Sequence, residues 1–161
     1  MENRVVSDTG PILHLHEINK QGLLSLFSKI IISQIIQEEL SKYRLKINNN
    51  ITIAKINNDQ VAMLSQRYLL ELGESSAIWL CKSLNIPLLL TDDLNAGEVA
   101  QALEIKPVGT LGIIMRGYRE KIISQKEAIE LLNKLHKESS LFITSELINY
   151  AIKEVKRAEL A

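Results

Sequence analysis

The sequence predicts an α/β domain in which a parallel sheet is covered by helices on both faces. Short apolar runs such as "RVVS", "KIII" and "PLLL" alternate with stretches of helical periodicity, the order expected of strand–helix–strand units. The 161 residues make one ordinary domain, long enough to bury a real core without disulfide staples. Acids follow directly on apolar strands, at Asp8 and at the Asp92–Asp93 pair, and in such sheets ligands bind beyond the carboxyl ends of the strands.

Taken in order, residues 4–7 read as a buried strand ending at "DTGP", where Thr9, Gly10 and Pro11 supply a turn and a helix start for "ILHLHEI". Residues 29–32 form a second strand, and Ser33 caps the helix "QIIQEELSKY". "NNN" at 48–50 is a loop, "ITIAKI" has strand composition, and residues 59–72 read as a helix stopped by Gly73. A helix follows over 74–84, a strand over 87–90 and a helix over 95–103. "KPVGTLGIIMRGYREK" gives a short strand, a glycine turn and a helix. Ser124 with Glu127 forms a capping box for "QKEAIELLNKLHKE", and Ser145 caps the last helix, "ELINYAIKEVKRAEL".

Acids and bases balance at 19 each, so there is no long-range field marking a general nucleic-acid binder, and any charged function is local. The single cysteine, Cys81, excludes an internal disulfide and leaves too few thiolates for zinc. With no apolar signal core in "MENRVVSDTG" and no run of about 18 apolar residues, the expectation is a soluble protein of the cytoplasm with no membrane contact.

Five acids stand out. Asp8, Asp92 and Asp93 lie at strand ends, where each could also cap the helix that follows; capping does not easily explain both members of the doublet. On "QIIQEEL", with Ile35 at zero, Ile36 falls at about 100°, Leu40 at about 140° and Glu39 at about 40°, so Glu39 points inward, while Glu38 at about 300° faces water. Glu74 shares its helix face with Cys81 and Ile78, although the macrodipole alone would favour an acid in a first turn. Carboxylates converging on one end of a sheet repel and would take up protons unless a cation joins them. An all-oxygen donor set suits Mg²⁺ or Mn²⁺, and such ions activate water and stabilise a leaving oxygen in phosphodiester cleavage. His14 and His16 project about 200° apart on a helix and cannot chelate together. No Walker loop or dinucleotide glycine fingerprint is present.

The pieces "VVSDTGPILHL", "IIISQIIQEEL", "LGESSAIWLC", "PLLLTDDLNAGEVAQAL" and "PVGTLGIIMRGYREKII", in this order, resemble the PIN (PilT N-terminal) domain nucleases, and within them an uncharacterised archaeal and bacterial toxin-like group. The resemblance implies a PIN-like, Rossmann-like central parallel sheet flanked by helices, with a PIN-like domain over residues 1–144 and a C-terminal helix, 145–161, packing on it. It makes Asp8, Glu39, Glu74 and Asp93 the catalytic acids and metal ligands, with Asp92 an accessory ligand or orienter. It further implies a Mg²⁺- or Mn²⁺-dependent endoribonuclease acting on RNA, a small antitoxin partner and a homodimer. One departure is "DDLNAG": related sequences carry arginine where Gly97 stands, and an arginine there could bind phosphate or pair with a ligand carboxylate. That departure motivates the alternative of a catalytically silent PIN-like module binding RNA or a protein. A phosphotransferase of haloacid dehalogenase type ranks lower, because it wants a second aspartate two residues after the first and Gly10 stands there. Lys42, Arg44 and Lys46, or Arg116, Arg119 and Lys121, are the candidate phosphate contacts.

Overall fold

A computed structural model describes residues 3–160, with side chains through Arg157; Met1, Glu2 and Ala161, which the expected division into 1–144 and 145–161 includes, lie outside the described residues. The sheet has five parallel strands in the order β3-β2-β1-β4-β5: β1 (Arg4–Ser7), β2 (Lys29–Ser33), β3 (Ile51–Ala54), β4 (Leu88–Leu90) and β5 (Lys106–Val108). Val5, Val6, Ile30, Ile32, Leu89 and Leu90 are buried, which a strand covered on both faces requires.

Eight α-helices flank the sheet among the described residues: α1 (Thr9–Glu17), α2 (Gln34–Ser41), α3 (Asn58–Tyr68), α4 (Leu72–Leu84), α5 (Leu94–Ala102), α6 (Thr110–Arg119), α7 (Gln125–Glu138) and α8 (Ser145–Leu160). A 3-10 turn, Gln21–Leu26, precedes β2 and buries Leu23 and Leu24. α4 buries the small residues Gly73, Ser75, Ser76 and Ala77, which let it lie close against β1, β2 and β4. Ser76 and Ser33 share a hydrogen bond of 2.7 Å that ties α4 to the end of β2. α8 packs on α7 and α6 through Ile148, Ala151 and Val155. No helix among the described residues is long and apolar enough to cross a membrane.

Two boundaries differ from the sequence reading. The helix expected over 59–72 ends at Tyr68, because Leu69 takes the left-handed conformation (φ 56°) and its amide caps the helix on Ser65 O. Gly73 then lies inside the first turn of α4 instead of stopping α3. The last helix includes Ser145, and Thr144 caps it: its hydroxyl accepts from Leu147 N at 3.2 Å.

β1 is central. From it the chain moves outward to β2 and β3, then returns to place β4 on its other side. The β1–β4 boundary is therefore the point where strand order reverses, and the crevice beyond it is where this class of sheet places ligands.

Candidate metal centre

Asp8 leaves β1 as the N-cap of α1. Its Oδ1 accepts from Thr9 N at 2.9 Å and its Oδ2 from the Thr91 hydroxyl at 3.2 Å. Thr91, at the end of β4, also accepts from Asp93 N at 3.2 Å, so one buried hydroxyl joins the two strand-end acids. Asp93 is the N-cap of α5, its Oδ1 accepting from Ala96 N at 2.8 Å. Glu39 reaches in from α2 and accepts the Thr9 hydroxyl. Glu74, in the first turn of α4, accepts no hydrogen bond among the described residues.

Asp8, Glu39, Glu74 and Asp93 line one cleft of about 320 Å³ with Glu71, Asp92, His14, Ser140 and Phe142. Glu39 is half-buried while Glu38 is exposed, the partition that the helical periodicity gave. Gly73 sits against Glu39: a Cβ there would stand 3.2 Å from Glu39 Cδ and closer still to Oε1. The glycine lets the Glu39 carboxylate lie directly against the first turn of α4.

The electrostatics are those of acids without enough counter-charge. Asp8, 8% exposed, has its carboxyl pushed up to about 6, chiefly by burial and further by the charges of Glu39 and Asp93, against the lowering bonds from Thr9 and Thr91. Glu74 is pushed up to about 7, again by burial first, then by Asp93, Asp8, Glu71 and Glu39. Among the described residues no lysine or arginine lines the cleft, and neither Lys42, Arg44 and Lys46 nor Arg116, Arg119 and Lys121 reaches it. Arg116 is instead paired with Glu120 and stacked on Phe27.

Asp92 behaves differently from the other four acids. Its Oδ1 accepts from Thr110 N at 2.7 Å, and its Oδ2 accepts from the Thr110 hydroxyl and His14 Nδ1, both at 2.6 Å. Capping of the helix that follows accounts for Asp93 alone, and Asp92 takes its donors from elsewhere in the fold. Asp93 opens α5 and Asp92 opens α6, a helix 18 residues further along.

Sequence reasoning missed His14 and Glu71. His14 has its partner 78 residues away, beyond the reach of periodicity. Glu71 occupies the N-cap position of α4 three residues before Glu74, a pairing of acids at a helix start that was legible. Among the described residues no group of three or more histidine, cysteine, aspartate or glutamate side chains closes around a metal position as it stands. The donor chemistry is that of a hard-cation site, but the protein's own donors occupy the aspartates.

A groove of about 550 Å³ continues from the cleft past Asp93 between α5 and the α7–α8 loop, and exposes Leu94, Phe142 and Leu147. A Cβ at Gly97, on its floor, would meet only Pro107 at 3.7 Å, ordinary contact.

No curated protein matches the chain. The model of a family described as a PIN domain matches residues 4–157. PIN domains have a nuclease-like fold and typically work with divalent metal ions. With almost the whole length matched and five parallel strands flanked by helices, the chain belongs to the PIN-domain family.

Proposed function

We propose that this protein is a Mg²⁺- or Mn²⁺-dependent endoribonuclease that hydrolyses RNA phosphodiesters at the acidic cleft. The observation that carries the reading is the uncompensated charge there: Asp8 and Glu74 are pushed up to about 6 and about 7 by burial and by neighbouring acids, with no lysine or arginine in the lining among the described residues. A hard divalent cation turns that repulsion into attraction.

Asp8, Glu39, Glu74 and Asp93 are the ligands in this reading, and Asp92 orients. A carboxylate offers about four acceptor sites, so the capping bonds on Asp8 and Asp93 and the Thr9 bond on Glu39 leave room for a metal. Ions bound there would activate water and stabilise the leaving oxygen. The caps fix the two aspartates on rigid strand ends, while the glutamates, longer and on helices, adapt to the ion.

The resemblance to toxin-like members extends the proposal to a cytoplasmic toxin, homodimeric and neutralised by a small antitoxin. The exposed groove around Phe142 supports that extension by giving a partner an apolar surface beside the acids. A small protein co-purifying from cells and a solution mass twice the monomer are the observations to look for.

A second reading, a PIN module that binds without cutting, is favoured by Gly97 and by the complete capping roles of the aspartates. The two are separated by Mn²⁺- and Mg²⁺-dependent cleavage of structured and single-stranded RNAs, comparing wild type with Asp8→Asn and Glu74→Gln. Metal-dependent cleavage lost in both variants supports the nuclease. An inert wild type whose melting temperature still rises with Mn²⁺ supports the silent module.

A further inference from the structure

Asp92 is the acid that the nuclease reading uses least, yet it has more protein donors than any other acid in the cleft. It sits where three segments meet: α1 through His14, the β4–α5 junction through its own backbone, and the first residue of α6 through Thr110. α6 begins after Gly109, which has no side chain to cap it. A Cβ at Gly109 would stand 2.7 Å from Asp92 Oδ1 and 3.4 Å from Thr91 O, so the glycine makes room for the aspartate that replaces the missing cap.

His14 completes this arrangement from the other side. Its side chain is 11% exposed and that of Asp92 9%, and the 2.6 Å separation is short for an N–H···O bond. A carboxylate is an acceptor, so Nδ1 carries the proton and donates. Without that donor, Asp92 Oδ2 would keep only the Thr110 hydroxyl, in a cleft that already holds Asp8, Glu39, Glu71, Glu74 and Asp93. Leaving a buried carboxylate short of donors is costly, and rotation towards a bound cation would relieve it.

We propose that His14 is a positioning residue of the metal site: by donating to Asp92 it holds that carboxylate on the start of α6, so that Asp93 alone of the doublet presents itself to the metal. The inference rests on the metal-dependent reading above. It separates two adjacent aspartates into one that binds and one that braces, with His14 deciding which is which.

Manganese binding, read from the EPR signal of free Mn²⁺ in titrations of the intact protein, tests it without any cleavage assay. Asn at position 14 can place its amide donor near the Nδ1 position but fills less space; Leu fills the space and donates nothing. His14→Asn is expected to bind Mn²⁺ close to wild type, and His14→Leu, which frees the Asp92 carboxylate to turn to the ion as a further ligand, to bind it several-fold more tightly. Thermal melts of both variants confirm folding. A Leu variant like wild type with Asn impaired would show that His14 only packs. Equal affinity in both variants would also overturn the inference. A wild type that binds no Mn²⁺ at any concentration removes the metal reading itself, a distinct result. Asp92→Asn adds a check: it should retain most of the Mn²⁺ affinity that Asp93→Asn loses.

Discussion

The strand-end aspartates and the helix-borne glutamates of the cleft are held in opposite ways. Asp8, Asp93 and Asp92 each accept from an amide in the first turn of a helix, those of α1, α5 and α6. Each would stand where it does in a protein with no chemistry to perform. Glu39 accepts one hydroxyl, and Glu74 accepts nothing among the described residues while facing four other acids. Capping explains where the first group stands and leaves the second unexplained, and it is the glutamates together with the buried Asp8 that call for a cation.

The most direct way to break that contrast is pH. Burial pushes the Asp8 carboxyl up to about 6 in the fold, against 3.8 ordinarily. Between those values the folded state holds a proton that the unfolded state has released, so stability falls as pH rises through the window. The penalty above pH 6 is on the order of 3 kcal/mol. Glu74 acts in the same direction up to about pH 7, with its contribution reduced by solvent screening of a half-exposed group. The metal-free protein should therefore melt at a lower temperature at pH 8 than at pH 5, and Asp8→Asn should flatten that slope. Mn²⁺ at a hundred times its Kd should restore about 2.7 kcal/mol. A flat pH profile in wild type would remove the contrast between the two groups of acids.

Gly73→Ala pushes the Glu39 carboxylate aside; because that is the end of a flexible side chain and alanine is the better helix former, stability in urea denaturation is expected to change by less than about 1 kcal/mol while Mn²⁺ affinity falls. Asp93→Ala removes the α5 cap at about 1 kcal/mol, whereas Asp93→Asn keeps a capping oxygen and costs only a few tenths. Both should lose Mn²⁺ binding, which separates capping from ligation at one position. The smallest change is Gly97→Arg, within about 0.5 kcal/mol of wild type because its Cβ is accommodated. If the added cation meets phosphate, the log–log salt slope of single-stranded RNA binding should steepen by about 0.7.

Much of this was legible in the sequence because it is local. The apolar runs gave the strands, and about 100° per residue placed Glu39 inside and Glu38 outside, as found. What the sequence hid was tertiary. Asp92 caps a helix that starts 18 residues later, and His14 meets it across 78 residues. At the α3–α4 boundary glycine reads as a stop signal, and the structure departs from that reading. Leu69 takes the left-handed turn instead, and Gly73 lies against Glu39 in the first turn of α4. The last cap shifted from Ser145 to Thr144 because adjacent hydroxyl residues carry the same local signal.

The return of the chain to pair β4 with β1 also governs when the cleft comes into being. Val6 meets Leu89 and Ser7 meets Leu90 only after two outward strands have been laid down, and the cleft's lining runs from Asp8 to Phe142. Contacts of such long sequence separation form late and slowly. A chain emerging from the ribosome therefore acquires this cleft only once the residues through Phe142 have been made, and whatever chemistry the acids support is withheld until then.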